Sequence, residues 1–257
     1  MINLTNTENT QSLNNSEKNK TREEILKSHF EVQILFENEN ENNNNTQTKN
    51  NISTKGLIIG DSSVGKSSIL YWMTHNKFIG ENENNHFFDI KKISFIIEET
   101  NILLSIIEIP GNDNFDDILK KNIDNCKVII FVYSIDKKNS FEKVKSMINK
   151  LNIDPGIICC LLGNKLDNDG NRGILKEEGE EYSKEIEFDF FEEISAKNGN
   201  NIIEIFKKIG EKIYKHEKVS KIENSHASSE VDYVKSLEDI NKEIVVKKKG
   251  CCCCYCF

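Results

Sequence analysis

Gly60-Asp61-Ser62-Ser63-Val64-Gly65-Lys66-Ser67 fits the spacing GxxxxGK[ST], and its residue types suit the holding of a phosphate chain. Glycines let a backbone close on phosphate oxygens while successive N–H groups and a helix N-terminus face the anion. The Lys66 ammonium would bridge phosphates, the Ser67 hydroxyl would ligate Mg²⁺, and Ser68 continues the same turn. The motif follows the apolar run Leu57 to Ile59 and opens a helical period, which is the context it requires.

A second constellation could read a base. Gly163-Asn164-Lys165-Leu166-Asp167 follows the apolar run Ile157 to Leu162. A carboxylate at Asp167 can accept two hydrogen bonds from the guanine N1–H and N2–H₂ edge, at about 1.5–3 kcal/mol per charged bond. Adenine offers no such edge. The dipeptide Asn-Lys recurs at Asn76-Lys77 and Asn149-Lys150, but only Asn164 has both a preceding strand and an Asp three residues on.

These residues need a scaffold, and from Lys55 onward short, wholly apolar runs alternate with longer helical periods. Strands are expected at Gly56 to Gly60, Phe87 to Ile97, Ile102 to Ile109, Val128 to Tyr133, Ile157 to Gly163 and Phe188 to Glu193. Helices are expected to begin near Lys66, Phe115, Ser140, Ile174 and Asn200. The second and third strands are joined only by Glu98 to Asn101, so they form a hairpin. The expected fold is α/β: a P-loop NTPase with a six-stranded, mostly parallel sheet, one antiparallel edge strand, and helices on both faces.

Composition divides the 257 residues into three parts. Residues 1–52 form an Asn-rich extension too polar to offset its ordering entropy, although Glu24 to Phe36 holds enough apolar residues for one short helix or strand. Residues 53–216 form the folded domain, and residues 217–257 a polar tail ending in cysteines. A net charge of −8 argues against a nucleic-acid partner. No run of about 18 apolar residues suits a transmembrane helix, and the N-terminus lacks a signal-peptide core, so folding in the cytosol is expected. Cys126, Cys159 and Cys160 adjoin apolar runs and read as packing thiols rather than disulfide partners.

With GDSSVGKSS, the NKLD segment and Ser195-Ala196-Lys197, the chain resembles the Ras superfamily of small GTPases, most closely the Rab branch, over about residues 53 to 216. The resemblance implies GTP or GDP as ligand with Mg²⁺. It implies that the Ser195-Ala196-Lys197 loop turns a backbone N–H to the guanine oxygen, and that Phe78, twelve positions after Lys66, stacks on the base. Glu108 would hold Mg²⁺ through water, and the Gly111 N–H would meet the γ-phosphate.

The switches depart from the family. Asn85 stands where relatives carry a metal-ligating threonine, and Glu108-Ile109-Pro110-Gly111-Asn112-Asp113 stands for the usual Asp-Thr-Ala-Gly-Gln-Glu. Asn112, shorter by one methylene than the water-orienting glutamine, implies slow hydrolysis, since phosphoryl transfer rests on positioning. In His86-Phe87-Phe88-Asp89-Ile90 only Asp89 keeps the identity found in the Rab effector region.

The end of the chain, Lys247-Lys248-Lys249-Gly250 followed by Cys251 to Phe257, implies lipid attachment. Cys254 and Cys256 suit a CxC prenylation pair, Cys254 alone suits CaaX, and two lipids give stable anchoring. The resemblance then implies a lipid-anchored regulator of vesicle traffic on the cytoplasmic face of a membrane, with a cytosolic pool. Its implied partners are effectors, exchange factors, GTPase-activating proteins and prenylation-escort proteins. The alternative is a pseudo-GTPase, an interaction module that binds nucleotide without efficient turnover.

Overall fold

The computed structural model describes residues 31–35, 50–78, 90–111, 119 and 121–222. They fall in two units, His29–Tyr214 and a second made of Met1–Ser28 with Lys215–Phe257. In the second unit residues 215–222 are helical, and the Ser220 hydroxyl donates to the His216 carbonyl at 2.9 Å.

The unit His29–Tyr214 contains β1 (Val32–Leu35), β2 (Asn50–Gly60), α1 (Lys66–His75), β3 (Lys91–Ile97), β4 (Thr100–Glu108), β5 (Cys126–Ser134), α2 (Lys138–Asn149), β6 (Ile158–Asn164), α3 (Lys176–Glu185) and β7 (Phe190–Glu193). A short 3₁₀ segment, Leu166–Asn171, follows β6, and α4 occupies residues 202–214. The helix expected near Phe115 begins outside the described residues, of which 119 and 121–123 are helical.

The sheet runs β1-β3-β4-β2-β5-β6-β7. From β4 to β7 all neighbours are parallel, whereas β3 is antiparallel to both β4 and β1. Among the described residues the sheet therefore has seven strands, not the expected six, and β3 is not its edge. The added strand comes from the Asn-rich arm. Val32 and Ile34 point inward with 8% and 7% exposure, aligned with Ile97 and Phe95, and that alternation supplies the apolar face that the arm's average composition hides. Expected Phe87 to Asp89 lie outside the described residues, and β3 starts at Lys91.

Alternating side chains serve two cores, one on each face. Ile58, Phe95, Ile130 and Leu162 join α1 and α4 residues such as Leu70, Met73, Phe206 and Ile209. Leu57, Ile59, Phe131 and Tyr133 join Phe141, Val144 and Ile148 of α2 on the other face. Burial on both faces makes the central strands continuously apolar. The chain from β2 crosses toward β3, and the chain from β4 crosses back to β5, so the C-terminal end of β2 is a topological switch point. Cys126, Cys159 and Cys160 are buried free thiols, as expected of packing residues.

Candidate functional site

The loop at the switch point is shaped by positions that a side chain could not fill. Gly65 caps α1 at φ 98°, and a Cβ there would stand 2.3 Å from Nδ2 of Asn164. A Cβ on Gly111 would meet the backbone of Asp61 and Ser62 at 2.5 Å, so the strand-β4 exit lies directly against the loop. Ser63 takes φ 61° without being glycine, a backbone cost of the kind that collects at functional loops.

Lys66 is 5% exposed and curls over the loop, its Nζ donating to the carbonyls of Gly60 (3.1 Å) and Asp61 (2.9 Å). Burial holds its pKa below the ordinary lysine value, against the attraction of Glu108 and Asp61. Ser67 Oγ donates to Glu108 Oε1 at 2.9 Å, while Lys66 Nζ stands 4.0 Å from the same oxygen. Burial pushes the Glu108 carboxyl up, and the Ser67 hydrogen bond and Lys66 only partly oppose it. A partly buried carboxylate beside a hydroxyl is an all-oxygen donor set lacking a full counter-charge, which fits a hard divalent cation such as Mg²⁺. Asp61 turns aside, its carboxylate accepting from Lys143 Nζ at 2.9 Å on both oxygens and from the Ser62 N–H at 2.8 Å.

The residues expected to read a base gather at the ends of β6 and β7. Asn164 is 2% exposed and acts as a bridge: its Nδ2 donates to the Val64 carbonyl at 2.8 Å, and its Oδ1 accepts from the Ala196 N–H at 3.0 Å. One side chain thus joins the phosphate loop to the Ser195-Ala196-Lys197 loop. Lys165 takes the left-handed conformation (φ 70°), its Nζ 3.9 Å from Asp136. Asp167 Oδ1 accepts from Ser195 Oγ at 2.6 Å, and Asp167 Oδ2 stands 3.9 Å from Lys197 Nζ.

Both sets open on one cleft of about 560 Å³, whose lining includes Ser62, Lys66, Ser67, Glu108, Gly111, Asp167, Lys197 and Phe78. Phe78 is 45% exposed, an uncovered aromatic face at the cleft wall. Gly60, Asp61, Val64 and Ser195 support the walls through the contacts above. Asn85, Asn112, Cys254 and Cys256 lie outside the described residues.

Three supports went unnoticed in the sequence. Asp136 receives Ser134 Oγ at 2.5 Å and Asn168 Nδ2 at 3.2 Å. Partial burial would raise its pKa, but those donors and Lys165 hold it below the usual carboxylate value. Arg172 makes a two-pronged bond to Glu193 (2.5 and 2.9 Å), tying the segment after Asp167 to β7. Lys143 anchors Asp61 from α2. Only Asp136 carried a signal, an acid just past a strand's C-terminal end, where α/β sheets bind ligands. The partners of Arg172 and Lys143 are 21 and 82 residues away in the chain, beyond any local pattern.

Comparison with known proteins agrees with this geometry. The profile of the Ras family matches residues 55–215. "Ras-like protein rasU" of Dictyostelium discoideum is 28% identical over 166 residues, covering 64% of this chain and 77% of the relative. "Ras-related protein RabC" of the same organism is 29% identical over 167 residues, 62% of this chain and 82% of the relative. "Ras-related protein Rab-13" of Mesocricetus auratus is 32% identical over 166 residues, 62% of this chain and 79% of the relative. With a GxxxxGK[ST] loop at the switch point of an α/β sheet and this profile match, the chain belongs to the Ras family of small GTPases and resembles the Rab proteins among them.

Proposed function

We propose that this chain is a Rab-like GTPase that binds GTP and GDP with Mg²⁺, and that it serves vesicle traffic from the cytoplasmic face of a membrane. Ras-family GTPases in general bind these nucleotides with Mg²⁺. The observation that carries the reading is convergence: Lys66 and the Ser67–Glu108 pair line the same 560 Å³ cleft as Asp167, Ala196 and Phe78.

In this reading Lys66 exchanges its two carbonyl partners for phosphate oxygens. Loop N–H groups and the start of α1 stabilise the phosphate charge. Mg²⁺, when bound, neutralises charge on the phosphates, and Ser67 with Glu108 would hold it. Asp167 accepts from the guanine edge, and Phe78 covers the base. Asn112, in place of the water-orienting glutamine, makes intrinsic hydrolysis slow, and Asn85 alters how the metal is sensed. Prenyl groups on Cys254 and Cys256, aided by Lys247 to Lys249 on an anionic leaflet, supply the anchor. Effectors, exchange factors, GTPase-activating proteins and prenylation-escort proteins are the corresponding partners.

The test is to identify the nucleotide that copurifies with the full chain and follow one turnover with Mg²⁺. Bound GTP, hydrolysed slowly and faster in Asn112→Gln, is the expected result. Bound ATP refutes the base assignment, and hydrolysis as fast as an ordinary Rab refutes the role given to Asn112. Asn85 and Asn112 together favour a second reading, an interaction module that binds nucleotide without turning it over. GTP retained unhydrolysed, with no gain in Asn112→Gln, would select it.

A further inference from the structure

We infer that Trp72, the one tryptophan of the chain, is a positioning residue for guanine recognition: its indole seats the turn 195–200, and through that turn it sets Asp167, which accepts from the guanine edge. The inference rests on the nucleotide reading and adds to it a determinant of base preference.

Trp72 lies six residues after Lys66 on α1, the helix whose start faces the phosphate site. It is half-buried and packs against the core cluster that holds Ala196 and Ile202. Its indole covers Gly199. A Cβ on that glycine would overlap Cζ2 of the ring and stand 2.7 Å from Cε2 and 2.8 Å from Cη2. Gly199 also takes φ 79°, a conformation that side chains disfavour. The glycine thus serves the contact twice: the backbone turns where it must, and no side chain keeps the indole off.

The turn is closed on itself and on Asp167. The Gly199 N–H donates to the Ser195 carbonyl at 2.8 Å, and the Ser195 N–H donates to the Asn200 carbonyl at 3.1 Å. Ser195 Oγ accepts from the Asn198 N–H at 3.1 Å and donates to Asp167 at 2.6 Å. A displacement of Gly199 is carried by these bonds to the Ser195 hydroxyl and so to the carboxylate. The Asn201 side chain, donating to the Glu193 carbonyl at 2.7 Å, and Asn164, accepting from the Ala196 N–H at 3.0 Å, tie the segment to β7 and β6. Trp72 supplies the tie from α1. Without the indole the turn has room to move toward that helix, and a hydrogen bond weakens steeply as its geometry is lost. The phosphate contacts belong to the start of α1, so the loss falls on the base.

The test is competition of GDP and of inosine diphosphate, which lacks the guanine 2-amino group, against fluorescent GDP on the full chain. The unaltered chain should prefer GDP by about tenfold or more, the worth of one charged hydrogen bond. In Trp72→Leu that preference should fall about fivefold, whereas a merely structural role would weaken both nucleotides alike and leave their ratio intact. Gly199→Ala, whose methyl group displaces the ring, should lower the ratio too. In Trp72→Leu/Gly199→Ala the second change should cost less than it does alone, and the φ strain, common to both backgrounds, cancels from the comparison. If Trp72→Leu does not fold, Trp72→Phe, whose smaller ring uncovers part of Gly199, runs the same cycle. An unaltered chain that binds inosine diphosphate as tightly as GDP refutes the guanine reading and the inference with it. A preference for GDP that the Trp72 variant leaves unchanged, or fully additive changes in the cycle, overturns the inference alone.

Discussion

Replacing Arg172 with Met should destabilise the domain far more than a surface ion pair would. Glu193 is 3% exposed and each of its carboxylate oxygens accepts from this guanidinium, at 2.5 and 2.9 Å, while Arg172 Nη1 also donates to the Ile174 carbonyl at 3.0 Å. The Arg172–Asp169 pair adds little, because Asp169 is 64% exposed. Removing one partner of a buried pair leaves an uncompensated charge and costs about 3–5 kcal/mol. For a domain of this size that is a fall in Tm of roughly 6–20 °C. Arg172→Met/Glu193→Leu removes both charges and should return to within about 2 kcal/mol of the unaltered chain. Urea unfolding followed by circular dichroism measures both variants, and the single Glu193→Leu, against the parent. Since the pair joins the segment carrying Asp167 to the strand leading into Ser195, Arg172→Met should also release fluorescent GDP faster. A loss below about 1 kcal/mol in Arg172→Met, or a double variant as unstable as the sum of its singles, refutes the reasoning.

Three further outcomes follow from groups whose protonation the fold displaces. Because burial disfavours the Lys66 ammonium more than Glu108 and Asp61 favour it, Lys66→Met should melt no lower than the unaltered chain without nucleotide, yet lose phosphate binding. A Tm lowered by more than about 4 °C contradicts this. Burial raises the Glu108 pKa above the ordinary 4.5, so the folded chain holds that proton to higher pH than the unfolded one. Its contribution is present below about pH 4.5 and lost as pH rises through the folded value, and melts across this range in chelator should show that limb disappear in Glu108→Gln. Finally, burial pushes Cys126 up to about 11 and Cys159 up to about 12, with Cys160 also raised, so iodoacetamide at about pH 8 should leave all three unmodified in the native chain. Peptide mass spectrometry reads the modified sites.

What the sequence determined by itself was whatever chemistry and periodicity lie within a short window. The loop Gly60 to Ser67 was legible because its glycines, lysine and hydroxyl must follow one another to wrap an anion. The central strands β2, β5 and β6 were legible because strands covered on both faces carry continuous apolar runs. Asn164 and Asp167 announced themselves by spacing after a strand, but not the two hydrogen bonds by which Asn164 ties Val64 to Ala196. Pairings of that kind, with those of Arg172 to Glu193 and Lys143 to Asp61, were decided only by the tertiary structure, since they join residues that the folded sheet alone brings within reach. The same holds for β1. Its four residues carry too little apolar surface to order themselves, and they become a strand only because β3 presents an edge with Phe95 and Ile97 behind it.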